Sequence, residues 1–140
     1  MDTALIEKKL AFIQTCVREL QELADPGRLD TDVRERRFVE HTLQLAIQAA
    51  LDAASHWISA RRLGEPETNR ALFRLLTEDG VVDRELGETL AAMAGLRNIL
   101  VHGYQTVNTD KLREILDHHL GDLNHFTTAL HAAMQHFQRP

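Results

Sequence analysis

The sequence contains one cysteine, and this scarcity excludes two kinds of site. Cys16 has no second cysteine with which to form an intrachain disulfide or a zinc site built on several thiolates. No apolar run approaches the ~20 residues of a membrane-spanning helix. The first nine residues already carry four charged side chains, which argues against a secretory signal peptide. We therefore expect no membrane association, and the composition is compatible with a cytoplasmic protein.

The chain also lacks an excess of positive charge. It has 16 Lys and Arg residues against 21 Asp and Glu residues, a net charge of −5. This balance argues against a protein that coats nucleic acid through bulk charge, but it is compatible with a small basic cleft or a basic partner surface. The arginine clusters are either RNA backbone contacts or solvated helix faces. They are Arg34, Arg36, Arg37, Arg61, Arg62, Arg70 and Arg74.

Glycine and proline are sparse, and there is neither a glycine-rich phosphate loop nor a useful stretch that alternates apolar and polar residues. Apolar residues recur instead every three or four positions, which is typical of helices. The pattern predicts an all-α protein, an antiparallel four-helix bundle with an extra short helix, forming a single domain over residues 1–140. The predicted helices are 3–24, 32–62, 67–77, 83–101 and, after a cap at Asn108 or Thr109, a single last helix to 137.

An arginine stands where the apolar pattern of the fourth helix requires an inward-facing residue. Leu86, Leu90, Met93, Arg97 and Leu100 are separated by steps of four and three residues. Arg97 is therefore expected to be largely buried. Because an unpaired buried charge is strongly destabilising, its guanidinium should meet an anion. The anion is either a carboxylate of this protein or a phosphate from outside.

A polar row on the second helix offers such a carboxylate. Glu40, Gln44, Gln48, Asp52 and His56 follow one another at intervals of four residues. The row is either a solvated helix face or a polar seam that faces Arg97. In the second case a carboxylate of this row orients Arg97, and Asp52 is favoured over Glu40.

Two more side chains of chemical interest follow Arg97. His102 has the side chain best suited to proton transfer near neutral pH, and Tyr104 follows Gly103 at the expected helix end. On spacing alone, the same residues also fit a buried arginine salt bridge, a histidine at a helix end and a surface tyrosine.

The spacing Arg-x4-His-x-Tyr in an all-helical chain resembles the signature of the HEPN ribonucleases. The residues around it, Met93 to Asn98 and Leu100 to Tyr104, are similar to the HepT branch of that superfamily, and the likeness extends over nearly the whole chain. The resemblance implies a homodimeric endoribonuclease that acts as a toxin and uses no cofactor. It also implies an MNT-type nucleotidyltransferase antitoxin that silences the toxin by transferring AMP to Tyr104.

The implied reaction needs no metal, because RNA supplies its own nucleophile, the 2′-hydroxyl. We expect His102 to take the hydroxyl proton and Arg97 to stabilise the charge that develops on the phosphate. Asn98 would donate a further hydrogen bond or order the helix end, and Tyr104 would position the phosphate or the leaving oxygen. The expected product is a 2′,3′-cyclic phosphate. One histidine serves poorly as both base and acid. A dimer with two adjacent motifs would supply the second histidine.

Two rival functions remain compatible with the residues. One is a non-catalytic, nucleotide-binding helical partner of a nucleotidyltransferase. The other is a metal-binding helical protein, but His118, Asp122 and His125 complete no known zinc pattern, and no metal is expected. Trp57 and His119 are expected to be core or interface residues.

Overall fold

The computed structural model describes the backbone of residues 1–102 and 108–138 and the side chains of residues 1–100 and 108–137. Within these ranges the chain forms α-helices and one 3-10 turn (Pro26–Arg28), with no strand, so the predicted all-α class is confirmed. The helices are α1 (Thr3–Leu23), α2 (Val33–Arg61), α3 (Asn69–Glu78), α4 (Arg84–His102), α5 (Thr109–His118) and α6 (Leu120–Gln138).

Side-chain caps explain where the helices begin. The carboxylates of Asp2, Asp32 and Asp83 accept hydrogen bonds from amides of the first turns of α1, α2 and α4, at 3.1, 2.9 and 2.8 Å. The hydroxyl oxygen of Thr68 accepts from the Ala71 amide at 3.0 Å, so α3 begins two residues later than the apolar pattern predicts. These caps satisfy amide groups that a helix cannot bond internally.

The long helices α1, α2, α4 and α6 form the bundle, and α2 is central to it. α2 packs against α1, α4 and α3, while α6 packs against α1 and α4. Small side chains on α2, among them Ala46, Ala50 and Ala53, are buried and allow the neighbouring helices to approach closely. The short helix α3 is joined to α6 by Phe73 and Phe126, whose rings meet edge-on with centroids 6.2 Å apart.

The last predicted helix is interrupted, which corrects the single helix expected up to residue 137. At His119 the backbone leaves the helical region (φ −125°, ψ −1°), and α5 ends there before α6 begins. Leu120 then takes a buried position, whereas His119 is only half-buried, with its Nδ1 2.9 Å from Asp122 Oδ2. Phe137, predicted on the apolar ladder, is 47% exposed. The break leaves two short helices beside the four long ones.

The N-terminal half of α5 is held on the connection between α1 and α2. Arg113 donates to Asp30 Oδ2 at 2.9 Å and to the carbonyl of Pro26 at 3.3 Å. The Thr109 hydroxyl donates to the other oxygen of Asp30. The bonds from Thr109 and Arg113 lower the pKa of Asp30, because they favour its charged form.

Cys16 belongs to the core rather than to a reactive site. Burial raises the pKa of its thiol to about 11, and the negative charge of Glu19 adds to the shift. The thiol is therefore protonated at neutral pH and packs as a small apolar side chain. In the part of the chain that the structure describes, no helix is both long and apolar enough to cross a membrane.

Gly87 sets the close approach between α3 and α4. A β-carbon added there would lie 2.2 Å from Oγ1 of Thr77, whose hydroxyl donates to the Phe73 carbonyl at 3.0 Å. We therefore expect Gly87→Ala to lower the free energy of unfolding by ~1–3 kcal/mol, the usual cost of overpacking. Urea denaturation followed by circular dichroism measures this change.

Gly95→Ala on the same helix is the matched control. An added β-carbon at Gly95 meets no described atom within 4 Å outside its own helical turn. The greater helix propensity of alanine should then stabilise this variant by up to ~1 kcal/mol. Equal losses in Gly87→Ala and Gly95→Ala would contradict a specific clash with Thr77.

Candidate active site

Arg97 lines a cavity of about 320 Å³ where α2, the start of α3 and α4 meet. On α4, Leu90 and Met93 are buried, and Arg97 is half-buried rather than largely buried as predicted. The inward stripe predicted from the spacing is therefore present, and Arg97 lies at its more exposed end. The other cavity walls are Gln48, Leu51, Asp52, Ser55, Pro66, Glu67, Thr68, Asn69 and Leu72.

The guanidinium of Arg97 is poorly satisfied within the part of the chain that the structure describes. Its Nη1 donates to Asn98 Oδ1 at 3.4 Å, a long bond between sequence neighbours. Its Nε is buried and has no hydrogen-bond partner among the described residues, and the same holds for Oε1 of Gln48 in the same cavity. A donor and an acceptor thus lack partners beside one cavity, although buried polar atoms are normally paired.

The predicted ion pair between Arg97 and a carboxylate of α2 is wrong for the described residues. Asp52 lines the cavity, but its Oδ1 accepts from Gln48 Nε2 at 2.8 Å and its Oδ2 lies 3.2 Å from Lys9 Nζ. Glu40 lies further along α2 and pairs with Arg36 at 3.5 Å. Both carboxylates therefore have other partners, and Lys9 comes from a separate helix, α1, that packs against α2.

The polar row of α2 combines the two alternatives that the sequence allowed. Glu40, Gln44, Gln48 and Asp52 are half-buried, whereas His56 is exposed. Of this row, Gln48 and Asp52 line the Arg97 cavity. Part of the row is thus a seam towards Arg97, and its last residue is a solvated position.

The start of α3 adds positive potential that the sequence interpretation did not assign to the site. Thr68 and Asn69 line the cavity at the N-terminal end of this helix, where the helix dipole carries partial positive charge. This end of α3 and Arg97 contribute positive potential to a cavity whose walls also carry the carboxylates of Asp52 and Glu67. The cap at Thr68 is a signal readable in the sequence, but its position beside Arg97 depends on how α3 packs against α4.

The remaining motif residues are described unevenly. Asn98 is exposed, and its contact is the bond from Arg97. His102 is the last described residue of α4. The side chain of His102 and the whole of Tyr104 lie outside the described residues, so their predicted roles stay predictions.

The carboxylate among the candidate metal ligands contacts histidines directly. Asp122 Oδ2 lies 2.9 Å from Nδ1 of His119, and its Oδ1 lies 3.9 Å from Nδ1 of His125. Across the ranges that the structure covers, no group of three or more His, Cys, Asp and Glu side chains is placed to hold a metal ion.

Trp57 is a core anchor, as predicted. It is buried, and its Nε1 donates to Asp79 Oδ2 at 3.0 Å. Arg61 pairs with the other oxygen of Asp79 at 3.4 Å, and its guanidinium carbon lies 5.2 and 5.1 Å from the ring centroids of Trp57 and Phe137. Two other arginines of the predicted clusters, Arg70 and Arg74, are exposed in a groove between α3 and α4.

Comparisons with known sequences point to one family. A family model described as Ribonuclease HepT-like matches residues 13–130. An mRNA nuclease HepT from Shewanella oneidensis is 33% identical over 129 residues, which cover 91% of this chain and 97% of that protein. A tRNA nuclease HepT from Aphanizomenon flos-aquae is 28% identical over 114 residues, 80% of this chain and 78% of that protein.

Solved structures agree with the sequence comparisons. The tri-AMPylated HEPN toxin of Shewanella oneidensis, in complex with its MNT antitoxin, has a TM-score of 0.85 and 32% identity, and the match covers 91% of this chain and 97% of that one. A cytosolic protein of unknown function from Bacillus subtilis has a TM-score of 0.90 at 19% identity, covering 100% of this chain and 95% of that one. At that identity the likeness shows the fold alone.

The unsatisfied state of Arg97 has a measurable consequence for stability. Replacing it with methionine, which has a similar length, removes a buried donor without a described partner. We expect Arg97→Met to preserve the free energy of unfolding or raise it by up to ~1–3 kcal/mol, the cost of an unsatisfied buried polar group. Urea denaturation measures the change.

Arg61→Met is the control for the loss of an arginine from the same bundle. Arg61 pairs with Asp79 and lies over two aromatic rings. Its replacement should cost ~0.5–1 kcal/mol. An equal decrease in the free energy of unfolding in Arg97→Met and Arg61→Met would show that Arg97 has a structural role that its described contacts do not explain.

Proposed function

The chain belongs to the Ribonuclease HepT-like family, and from this premise we propose that it is the endoribonuclease toxin of a HEPN/MNT toxin–antitoxin pair. The observation that carries the proposal is the state of Arg97. Its half-buried guanidinium lines a cavity beside the N-terminal end of α3 and has no carboxylate partner among the described residues. A planar set of donors held in this way is suited to a phosphate oxygen.

The proposed reaction is transfer of a phosphodiester to the neighbouring 2′-hydroxyl. His102 accepts the hydroxyl proton while the 2′-oxygen bonds to phosphorus and the bond to the leaving oxygen breaks. The leaving oxygen takes a proton, and the products are a 2′,3′-cyclic phosphate and a new hydroxyl end. Arg97 stabilises the negative charge on the phosphate oxygens, and Asn98 and Tyr104 position the phosphate. This sequence of steps involves no metal ion and no cofactor.

The acid that protonates the leaving oxygen is proposed to come from a second copy of the chain. Each chain contributes one motif histidine, His102. One histidine cannot act at the same time as the base that removes the 2′-hydroxyl proton and as the acid that protonates the leaving oxygen. We therefore propose a homodimer in which the two motifs share one cleft for RNA, and the cytoplasm as the place of action.

The proposed partner is a nucleotidyltransferase antitoxin of the MNT type. The related toxin from Shewanella oneidensis was solved with its MNT antitoxin in a tri-AMPylated form. For this chain we propose Tyr104 as the acceptor. Its hydroxyl oxygen would bond to the α-phosphorus of ATP, with release of pyrophosphate and the phenolic proton. The added anionic group would fill the cleft and repel RNA phosphate.

Cleavage of RNA by the purified protein in EDTA tests the proposed activity. We expect cleavage to persist on chelation, and His102→Ala to reduce the rate at least ~100-fold by removing the base. His118→Ala is the matched control, because His118 is an exposed histidine outside the motif. Light scattering on the same sample should give about twice the chain mass of 15.9 kDa.

Several results would count against parts of this proposal. Cleavage lost in EDTA and restored by Mg²⁺ or Mn²⁺ would require a metal mechanism. A stable monomer would exclude the shared cleft. Wild-type protein that binds nucleotide but cuts no RNA would favour the rival function, a non-catalytic partner of a nucleotidyltransferase.

Control by AMP transfer is tested by intact-mass measurement after co-expression with the nucleotidyltransferase. Wild-type protein should gain mass in steps of AMP and lose RNA cleavage, whereas Tyr104→Phe should gain none because it lacks the acceptor oxygen. Tyr104→Phe should also cleave more slowly if the hydroxyl positions phosphate. An AMP-sized gain in Tyr104→Phe would place the acceptor elsewhere. No gain in either protein would indicate inhibition by steric blocking instead.

A further inference from the structure

Asp52 and Arg97 line one cavity, yet the carboxylate is held by two other side chains. Each oxygen of Asp52 has its own partner, Gln48 Nε2 at 2.8 Å and Lys9 Nζ at 3.2 Å. Lys9 and Asp52 are both about one-third exposed, and Lys9 contacts this carboxylate of the cavity wall from α1 without lining the cavity itself. Nothing in the Arg97 motif requires a lysine on α1, and its contact with Asp52 exists only in the folded bundle.

The alternative arrangement would compete with RNA. A carboxylate and a guanidinium form a bidentate pair that uses the same fork of donors as a phosphate. If Asp52 turned to Arg97, it would neutralise the guanidinium and occupy donors that the phosphate needs. The ammonium of Lys9 provides the counter-charge that Asp52 would otherwise seek, and Gln48 restrains the remaining oxygen.

We infer that Lys9, assisted by Gln48, holds Asp52 away from Arg97 and thereby keeps the guanidinium available to an RNA phosphate. Lys9 is a positioning residue, since it acts through Asp52 and not on the substrate. The inference rests on the proposed function for its phosphodiester ligand, but the competition between Asp52 and a phosphate at Arg97 applies to any phosphate.

Steady-state cleavage separates this role from a structural one. Lys9→Met should raise KM about three- to fivefold with little change in kcat, because Asp52 must be displaced before the phosphate binds. Lys9→Arg should retain the wild-type KM. Lys8→Met is the matched control, because Lys8 is the exposed neighbour on α1 and makes no described ion pair.

The decisive variant is the double substitution Lys9→Met with Asp52→Asn. An uncharged asparagine does not compete for Arg97, so KM should return to within about twofold of the wild-type value. A structural role for the Lys9–Asp52 pair predicts the opposite, since the double variant lacks the pair just as Lys9→Met does. A double variant as impaired as Lys9→Met would overturn the inference. So would an unchanged KM in Lys9→Met, or an equal loss in Asp52→Asn alone, which would make Asp52 a support for Arg97.

A second measurement separates failure of the inference from failure of the proposed function. In a His102→Ala background, the Nε–H resonance of Arg97, identified through Arg97→Lys, can be titrated with inorganic phosphate by NMR. Adding Lys9→Met should raise the half-saturating phosphate concentration about three- to fivefold, and adding Asp52→Asn as well should reverse it.

The two experiments give separable outcomes. If wild-type protein cuts no RNA but the titrations follow this order, the proposed function fails and the inference holds. If RNA is cut but Lys9→Met leaves both KM and the phosphate titration unchanged, the inference fails and the proposed function holds.

Discussion

A half-buried guanidinium with no carboxylate partner in the described part of the chain can persist only where the surrounding packing holds it. Arg97 projects from α4 towards α2 and the start of α3, and the buried residues Leu90, Met93 and Leu96 on the same helix fix the direction of that face. The apolar contacts of α4 stabilise the fold far more than one unsatisfied donor destabilises it. The bundle can therefore tolerate a poorly paired arginine, which is the condition that a phosphate-binding site needs.

The cavity depends on α3 as much as on the motif helix. Gly87 permits α4 to approach Thr77 on α3, and the Phe73–Phe126 contact ties α3 to α6. Just past the C-terminal end of α3, close to Thr77, Asp79 accepts from the indole of Trp57 on α2. These contacts hold the middle and the C-terminal end of a ten-residue helix, and the helix carries its N-terminal end beside Arg97. A helix this short would not keep its position without tertiary contacts.

Local patterns and tertiary contacts explain what could and could not be predicted from the sequence. Apolar spacing and aspartate caps are local signals, and they placed α1, α2 and α4 within a residue or so of their ends. The break at His119 was missed because Ile115, Leu116 and Leu120 all provide apolar residues at helical spacing. The spacing therefore remains nearly regular across the break, although the backbone does not. The burial of Trp57 could be predicted from its type and place on α2.

The partner of Asp52 could not be predicted in this way. The sequence shows that Gln48 and Asp52 are one helical turn apart, but it does not show that Lys9 on α1 reaches the same carboxylate. An inward arginine and a nearby aspartate therefore suggested an ion pair that the bundle does not form. The spacing on α2 and α4 does not reveal that a third helix, α1, supplies the competing positive charge.

Because the chain is acidic overall, it matters which partner each charged side chain near Arg97 has. With a net charge of −5, the chain has no excess of positive charge to attract RNA, so the proposed RNA binding would depend on local cations such as Arg97. With few phosphate contacts, the loss of one guanidinium to an internal carboxylate would remove a large share of the affinity. A lysine that neutralises Asp52 from outside the motif would then matter for the proposed binding although it does not touch RNA itself. The same argument explains how a single anionic modification near the motif could silence the whole site.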